Sequence, residues 1–414
     1  MESRNKEINS SDEVIIEESI VLEIENEAAA EESSAASSDI DNSESNTQKT
    51  SFFKCELFTP AFRGLSYTFL GSVAVYLLSR FVPIFAEYWT RYPAQWIRFL
   101  LAKITGWIPF SFAEAVIVCL PILSIAFIVA SSYSTKRDDS DANFFKWIRP
   151  LISLLLVILM LFCGAFGPAY GRYKLADNLS LEQSDVSSDE LFTTAIKVAN
   201  LAKNDLDQIS FDLTGESIIP FDYGTLVEKM NIAFEKYADD VDFISHFSSN
   251  PKAIALSKPM TYTHISGVYT FMTGESNINT NYPDFLMPYT MAHEMAHQRG
   301  IAREDEANFV AYLVCIGSDD PYIRYSGYAN MLNYLTTPLA SASMERYRDF
   351  VINYMPIEIS YEFSAYSQFF DKYRDSVASE VTGTVNNTFL QSQGQDAGTK
   401  SYGLVVDLAV AYYK

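Results

Sequence analysis

Thr290-Met291-Ala292-His293-Glu294-Met295-Ala296-His297-Gln298-Arg299-Gly300 runs directly into Ile301-Ala302-Arg303-Glu304-Asp305-Glu306-Ala307-Asn308. His293 and His297 are four residues apart, so on a helix they stand one above the other on one face. Glu294 lies beside the first of them. This is the H-E-x-x-H pattern, in which two imidazoles hold zinc and the glutamate acts as general base. The chain has four histidines, and this stretch uses two of them.

Pro288 suits the first turn of such a helix and Gly300 suits its end, leaving roughly three turns for the two histidines. A catalytic zinc takes three protein ligands and keeps one position for water. In the extended pattern H-E-x-x-H-x-x-G-x-x-H, Gly300 fits, but Arg303 holds the last place and cannot ligate a cation. A glutamate on the following helix is the alternative, and Glu304 supplies it. Positions 304, 307, 308, 311 and 315 form one stripe reading Glu, Ala, Asn, Ala and Cys, small enough to pack closely on the histidine helix. A carboxylate on such a face must be paired or metal-bound. Asp305 and Glu306 point elsewhere and are expected to cap the helix N-terminus. Asn308, one turn beyond Glu304, is expected to hydrogen-bond a ligating imidazole. Arg299 and Arg303 read as surface pairing partners. The expected metal ligands are therefore His293, His297 and Glu304, with Glu294 catalytic and Zn2+ as cofactor.

Outward from this stretch, the chain divides by composition. The net charge is −22, and residues 1–50 hold 14 acidic and 3 basic side chains, half of that total. Their Glu, Ser, Ala and Asn cannot bury enough apolar surface to offset chain entropy, so residues 1–59 read as a disordered acidic tail. No basic stripe or nucleic-acid motif occurs, which speaks against a nucleic-acid partner. Cys55, Cys119, Cys163 and Cys315 show no paired spacing, so no disulfide framework is implied.

Three apolar runs follow: about Leu65 to Trp89, Ile108 to Ser131, and Ile148 to Tyr170. Each has the roughly 20 residues a bilayer span needs, so residues 60–170 read as a three-helix transmembrane region whose partner is the lipid bilayer. Between the first two runs, Trp96, Ile97, Leu100, Leu101 and Ile104 recur at helical spacing, as expected of an interfacial helix at about 93–107. Lys49, Lys54, Arg63, Lys136, Arg137, Lys146 and Arg149 fall on one side of the bilayer; Arg91, Arg98, Lys103, Arg172 and Lys174 fall on the other. That balance puts the N-terminus in the cytoplasm and the C-terminal domain outside.

Residues 171–414 contain no further run long enough to span. Helical spacing marks 185–205 and 222–240, and the β-branched and aromatic residues between Pro251 and Pro283 predict a small sheet ahead of the histidine helix. Helices are expected again over Pro321–Leu335, Ser343–Tyr354 and Tyr361–Ser379. A Gly/Asn/Gln-rich loop is expected at 383–400, and an amphipathic segment at Tyr402–Tyr413.

From Pro60 onward the sequence resembles a family of bacterial membrane proteins of unknown function with three N-terminal spans and a zinc-peptidase-like domain. The residues carrying the resemblance are Ile108-Pro109-Phe110-Ser111, Ser266-Gly267-Val268-Tyr269, Glu275-Ser276-Asn277-Ile278-Asn279 and His293 through Gly300. They continue with Arg303 through Phe309, Arg324-Tyr325-Ser326-Gly327-Tyr328 and Ser401-Tyr402-Gly403. Glu304-Asp305-Glu306-Ala307-Asn308 is also similar to the E-x-x-A-D motif of membrane gluzincin peptidases, with Asn308 replacing the aspartate and a short link from His297. This resemblance implies that the first glutamate ligates zinc.

The fold expected is a three-span helical anchor plus a soluble, mainly α, zincin-like α+β domain with a small sheet beside the H-E-x-x-H helix. The function expected is that of a membrane-anchored zinc metallopeptidase acting on a protein or peptide near the membrane surface. The alternative is a non-catalytic zinc-binding scaffold or sensor that keeps the shape. Tyr325 or Tyr402 is a candidate to stabilise the oxyanion. Nothing in the sequence sets an oligomeric state.

Overall fold

The computed structural model describes residues 59–138, 141–374, 376–395 and 404–414. The acidic tail expected over residues 1–59 therefore lies outside the described residues, Thr59 excepted. The fold is mostly helical, with one small sheet. Three helical stretches are long and apolar enough to cross a membrane, Pro60–Phe81, Phe112–Lys136 and Trp147–Gly171, with mean hydropathy of 1.3, 2.5 and 2.5 in their apolar windows. They mark a multi-pass membrane protein. The described residues up to Leu65 and within Phe127–Ser153 form one compact unit; those within Ser66–Ala126 and Leu154–Lys414 form the other, which contains the sheet, the H-E-x-x-H helix and the residues around it.

The first span, α1, covers Pro60–Phe81 and stops short of the Trp89 expected from hydropathy. The reason is Pro83, which has no N–H to continue the ladder and instead opens a separate helix, α2, Pro83–Arg91. Pro93 opens α3 in the same way, Pro93–Gly106. The second span lies in α4, Phe112–Asp138. The third begins in α5, Asp141–Leu161, then widens to a π-helical turn at Phe162–Phe166 and tightens to a 3-10 turn at Gly167–Gly171.

In α3 the buried face is small and polar: Ala94, Arg98, Ala102 and Thr105. Several of its large apolar residues point outward, with Trp96 61%, Leu100 53% and Ile104 66% exposed. That reverses the polarity of an ordinary surface helix. Arg98, 1% exposed, donates to the carbonyl oxygens of Ala165 and Thr90, each at 2.9 Å. The start of α4 is also tied to the C-terminal domain. Glu275 accepts from the amides of Phe112 (3.2 Å) and Ala113 (2.7 Å), while Glu114 accepts from those of Ala255 (2.9 Å) and Leu256 (2.7 Å).

The C-terminal domain opens with α6, Ser188–Lys203, started by a capping box between Ser187 and Glu190. It buries Leu191, Ala195, Val198 and Ala199, the periodic face expected from sequence, and Ala202 beside them. Helix α7, Tyr223–Asp240, buries Leu226, Met230, Ala233 and Phe234. The sheet follows: β1, Lys252–Ala253; β2, Gly267–Thr270; β3, Glu275–Ile278. β3 is central, parallel to β1 and antiparallel to β2, with Gly267 opposite Ile278 and Thr270 opposite Glu275. β2 is therefore an edge strand.

Beside the sheet lie α8, Leu286–Gln298, and α9, Glu304–Ile316, backed by α10, Pro321–Ala342. These helices supply nearly half of the buried residues of the large apolar core. Three further helices come next: α11, Met344–Asn353; α12, Ile357–Asp371; α13, Val377–Ser392. α13 corrects the first part of the loop expected at 383–400, through Ser392, and residues 396–400 lie outside the described residues. Ser376 accepts from the Ser379 amide and starts a helix that runs through Gly383 and Asn386-Asn387. Helix α14, Leu404–Tyr413, buries Val405, Val406, Leu408, Ala409 and Val410 against the core.

Candidate metal centre

The local sequence sets up the centre in two steps. First, α8 ends in a left-handed glycine. Gly300 has φ +92°, the Ile301 amide bonds Ala296 oxygen at 3.1 Å, and the Gly300 amide bonds His297 oxygen at 3.0 Å. This pairing is a Schellman stop, which glycine accommodates without a Cβ clash. Second, the chain reverses within three residues, and α9 begins at Glu304. The small stripe Ala307, Asn308, Ala311 and Cys315 is fully or nearly buried, so α9 lies close against α8 as its residue sizes predict.

His293, His297 and Glu304 thereby meet, with one ligand atom from each lying within 4.8 Å of the others. His293 Nε2 and His297 Nε2 are 3.0 Å apart. Glu304 Oε2 is 3.3 Å from His293 Nε2, and Oε1 is 3.6 Å from His297 Nε2. In a tetrahedral zinc site with bonds of about 2.1 Å, neighbouring donors stand about 3.4 Å apart. The observed spacings bracket that value, and two imidazoles with one carboxylate are an ordinary zinc donor set. The residues fit the ion.

Support for these groups is uneven. His297 Nδ1 donates to the Ile301 carbonyl oxygen at 2.7 Å, which fixes the ring and turns Nε2 toward the centre. His293 Nδ1 is buried without a partner among the described residues. The Phe166 ring, from the π-helical turn of the third span, stands edge-on to His297 at 6.2 Å. Burial opposes charge on His297, but the Glu304 and Glu294 carboxylates outweigh it and lift its pKa to about 9. Burial would raise Glu304, yet the two imidazoles draw its carboxyl below the usual carboxylate range.

Glu294 is 4% exposed. Burial pushes its carboxyl above the usual range, although the two imidazoles and a hydrogen bond from the Tyr269 amide act in the opposite direction. It lies directly under β2: a Cβ on Gly267 would come within 2.7 Å of both Glu294 Cγ and Oε1. Gly267→Ala is therefore expected to destabilise the domain by about 1–3 kcal/mol, the usual range for overpacking. The readout is the thermal midpoint, and an unchanged midpoint would show that this contact has room to spare.

Other expected residues lie elsewhere. Asn308 bonds neither imidazole: its Oδ1 accepts from the Tyr334 hydroxyl at 3.2 Å, and its Nδ2 is buried without a partner among the described residues. Glu306 does not cap α9; it accepts from the Leu175 amide and from Arg303, both at 2.9 Å. Arg299 is not a surface residue. It is 2% exposed and stacked between Phe234 and Phe247, with ring centroids 4.4 and 4.8 Å away. Tyr325 donates to Glu362 at 2.9 Å in the core and is unavailable to an oxyanion, and Tyr402 lies outside the described residues.

Sequence reasoning missed one network around the centre. Arg172 donates to both Glu87 oxygens (3.0 and 2.7 Å), to Gly300 oxygen (2.9 Å) and to Phe243 oxygen (2.9 Å). Arg303 donates to the Tyr170 and Arg172 oxygens at 3.1 and 3.2 Å. The turn between His297 and Glu304 is thus fastened to the end of the third span and to α2.

These features define a class: a multi-pass membrane chain in which an H-E-x-x-H helix and the glutamate of the next helix converge on one cluster. The chain belongs to the family described as protein of unknown function DUF3810, whose model matches residues 89–410. No curated protein and no solved structure matches it.

Proposed function

We propose that this protein is a membrane-anchored zinc metallopeptidase with a zincin-like domain, cutting a protein or peptide near the membrane surface. His293, His297 and Glu304 would hold the zinc, and the lysine and arginine balance of the loops assigns the domain to the extracytoplasmic side. One observation carries the reading: three donors stand 3.0 to 3.6 Å apart, with a buried glutamate next in sequence to the first. When bound, zinc supplies Lewis acidity toward the scissile carbonyl and lowers the pKa of water. Glu294 takes the proton of the attacking water on a carboxylate oxygen and returns it to the leaving amine. Its raised pKa brings it closer to the working range of such a base. The free edge of β2 offers backbone groups for pairing with an extended substrate.

A second reading, a zinc-binding scaffold without activity, is favoured by Asn308, which stands where the E-x-x-A-D motif has aspartate and bonds neither imidazole. Hydrolysis of a fluorogenic peptide library by the purified, zinc-loaded full chain separates the two. The expected result is cleavage that a chelator stops and added zinc restores. Zinc retained with no cleavage across the library would overturn the peptidase reading and leave the scaffold.

A further inference from the structure

A cleft of about 420 Å³ opens where the first and third spans end. Arg80, in the last turn of α1, lines it together with Tyr170 and Arg172 at the end of the third span, Lys174 just beyond, and Arg303 beside the metal cluster. Four of its lining residues are cations, and Asp177 is the one carboxylate among them. This is unusual in a chain of net charge −22.

Two of the cations are committed. Arg172 is paired with Glu87, and Arg303 with Glu306. Arg80 and Lys174 have no carboxylate partner among the described residues, and both side chains are exposed. The Arg80 guanidinium reaches the turn after α13, where a Cβ on Gly394 would lie 3.4 Å from Nη2.

Chain order fixes the level of the cleft. With three spans, the end of the first, the start of the second and the end of the third all emerge on the same side of the bilayer, the side of residues 172–414. Arg80 and Lys174 flank the ends of two spans and therefore sit at headgroup height on that side. An unpaired arginine and lysine facing a cleft at that height are suited to a phosphate oxyanion, and the guanidinium can bind it through two parallel N–H groups.

We propose that this cleft binds a phosphate-type anion, and that in the membrane the anion is the headgroup phosphate of an acidic phospholipid. The site does not rest on the peptidase reading. It adjoins the metal cluster through Arg303, the residue before Glu304, so a bound headgroup would steady the turn that presents the third ligand.

The test uses the purified full chain in detergent micelles, measuring binding of phosphatidylglycerol, phosphatidylcholine and inorganic phosphate. Phosphatidylglycerol is expected to bind more tightly than phosphatidylcholine, whose choline cation offsets its phosphate. The double variant Arg80→Gln, Lys174→Gln is expected to weaken phosphatidylglycerol binding by about tenfold or more, since each basic residue contributes appreciably near a membrane surface. Its thermal midpoint and gel-filtration profile should match the wild type. If the double variant does not fold, Lys174→Gln alone changes one exposed side chain and should weaken binding by about fivefold. Inorganic phosphate binding as tightly as the lipid would overturn the lipid source while keeping the anion site. Equal lipid binding by wild type and variants, or no preference over phosphatidylcholine, would overturn the proposal.

Discussion

Glu294→Gln is expected to abolish peptide hydrolysis, by about 10²- to 10⁴-fold, while leaving bound zinc and the thermal midpoint unchanged. Glutamine has the shape of glutamate, so it can still fill the space under Gly267. It has no carboxylate to take a proton. The three metal donors are separate side chains and keep their positions. Single-turnover assays at matched zinc content give the comparison directly. A variant as active as the wild type would remove Glu294 from the chemistry.

Arg172→Ala is expected to produce the largest loss of stability. The guanidinium is 4% exposed and Glu87 8%, so the pair is desolvated on both sides. Removing one member of a buried pair costs about 3–5 kcal/mol, because the remaining charge and its partners are left unsatisfied. Here Glu87 keeps Arg91 at 2.5 Å, which points to the lower end of that range. The Gly300 and Phe243 carbonyl oxygens lose this donor. A fall of about 3 kcal/mol corresponds to a thermal midpoint lower by roughly 6–12 °C for a domain of this size. Because Arg172 also holds the turn before Glu304, zinc affinity should fall about tenfold, as it does when groups supporting a ligand are lost. A midpoint within a degree of the wild type would show that the network contributes nothing.

The two predictions rest on parts of the molecule that differ in how readily the sequence discloses them. The donor set was legible because its geometry is local. His293 and His297 share a face by helical spacing, Gly300 ends the helix, and Glu304 leads a stripe of small residues that must pack closely. The spans were legible from hydropathy, except where Pro83 restarts the helix and shortens the first. The Glu87–Arg172 pair was not legible, because its members lie 85 residues apart and neither position has a periodic signature. Arg299 looked like a surface charge because nothing nearby in sequence announces the two phenylalanines that sandwich it. Asn308 stood one helical turn from Glu304, a spacing that fixes its face but not which neighbour its amide meets. α13 was missed because Gly383 and the paired asparagines read as a loop, whereas the Ser376 cap and burial of Leu390 hold it as a helix.

The proposed chemistry needs one zinc ion bound by His293, His297 and Glu304. Metal analysis and zinc X-ray absorption on the purified full chain and on Glu304→Ala test it most directly. One zinc per wild-type chain is expected, coordinated by two imidazole nitrogens and by oxygen at about 2.0–2.2 Å. In Glu304→Ala, affinity should fall by more than about 100-fold, beyond the loss that follows removal of a merely supporting group. A wild-type chain that binds no zinc, or a Glu304→Ala variant that holds it as tightly, would show that these three side chains are not a zinc site.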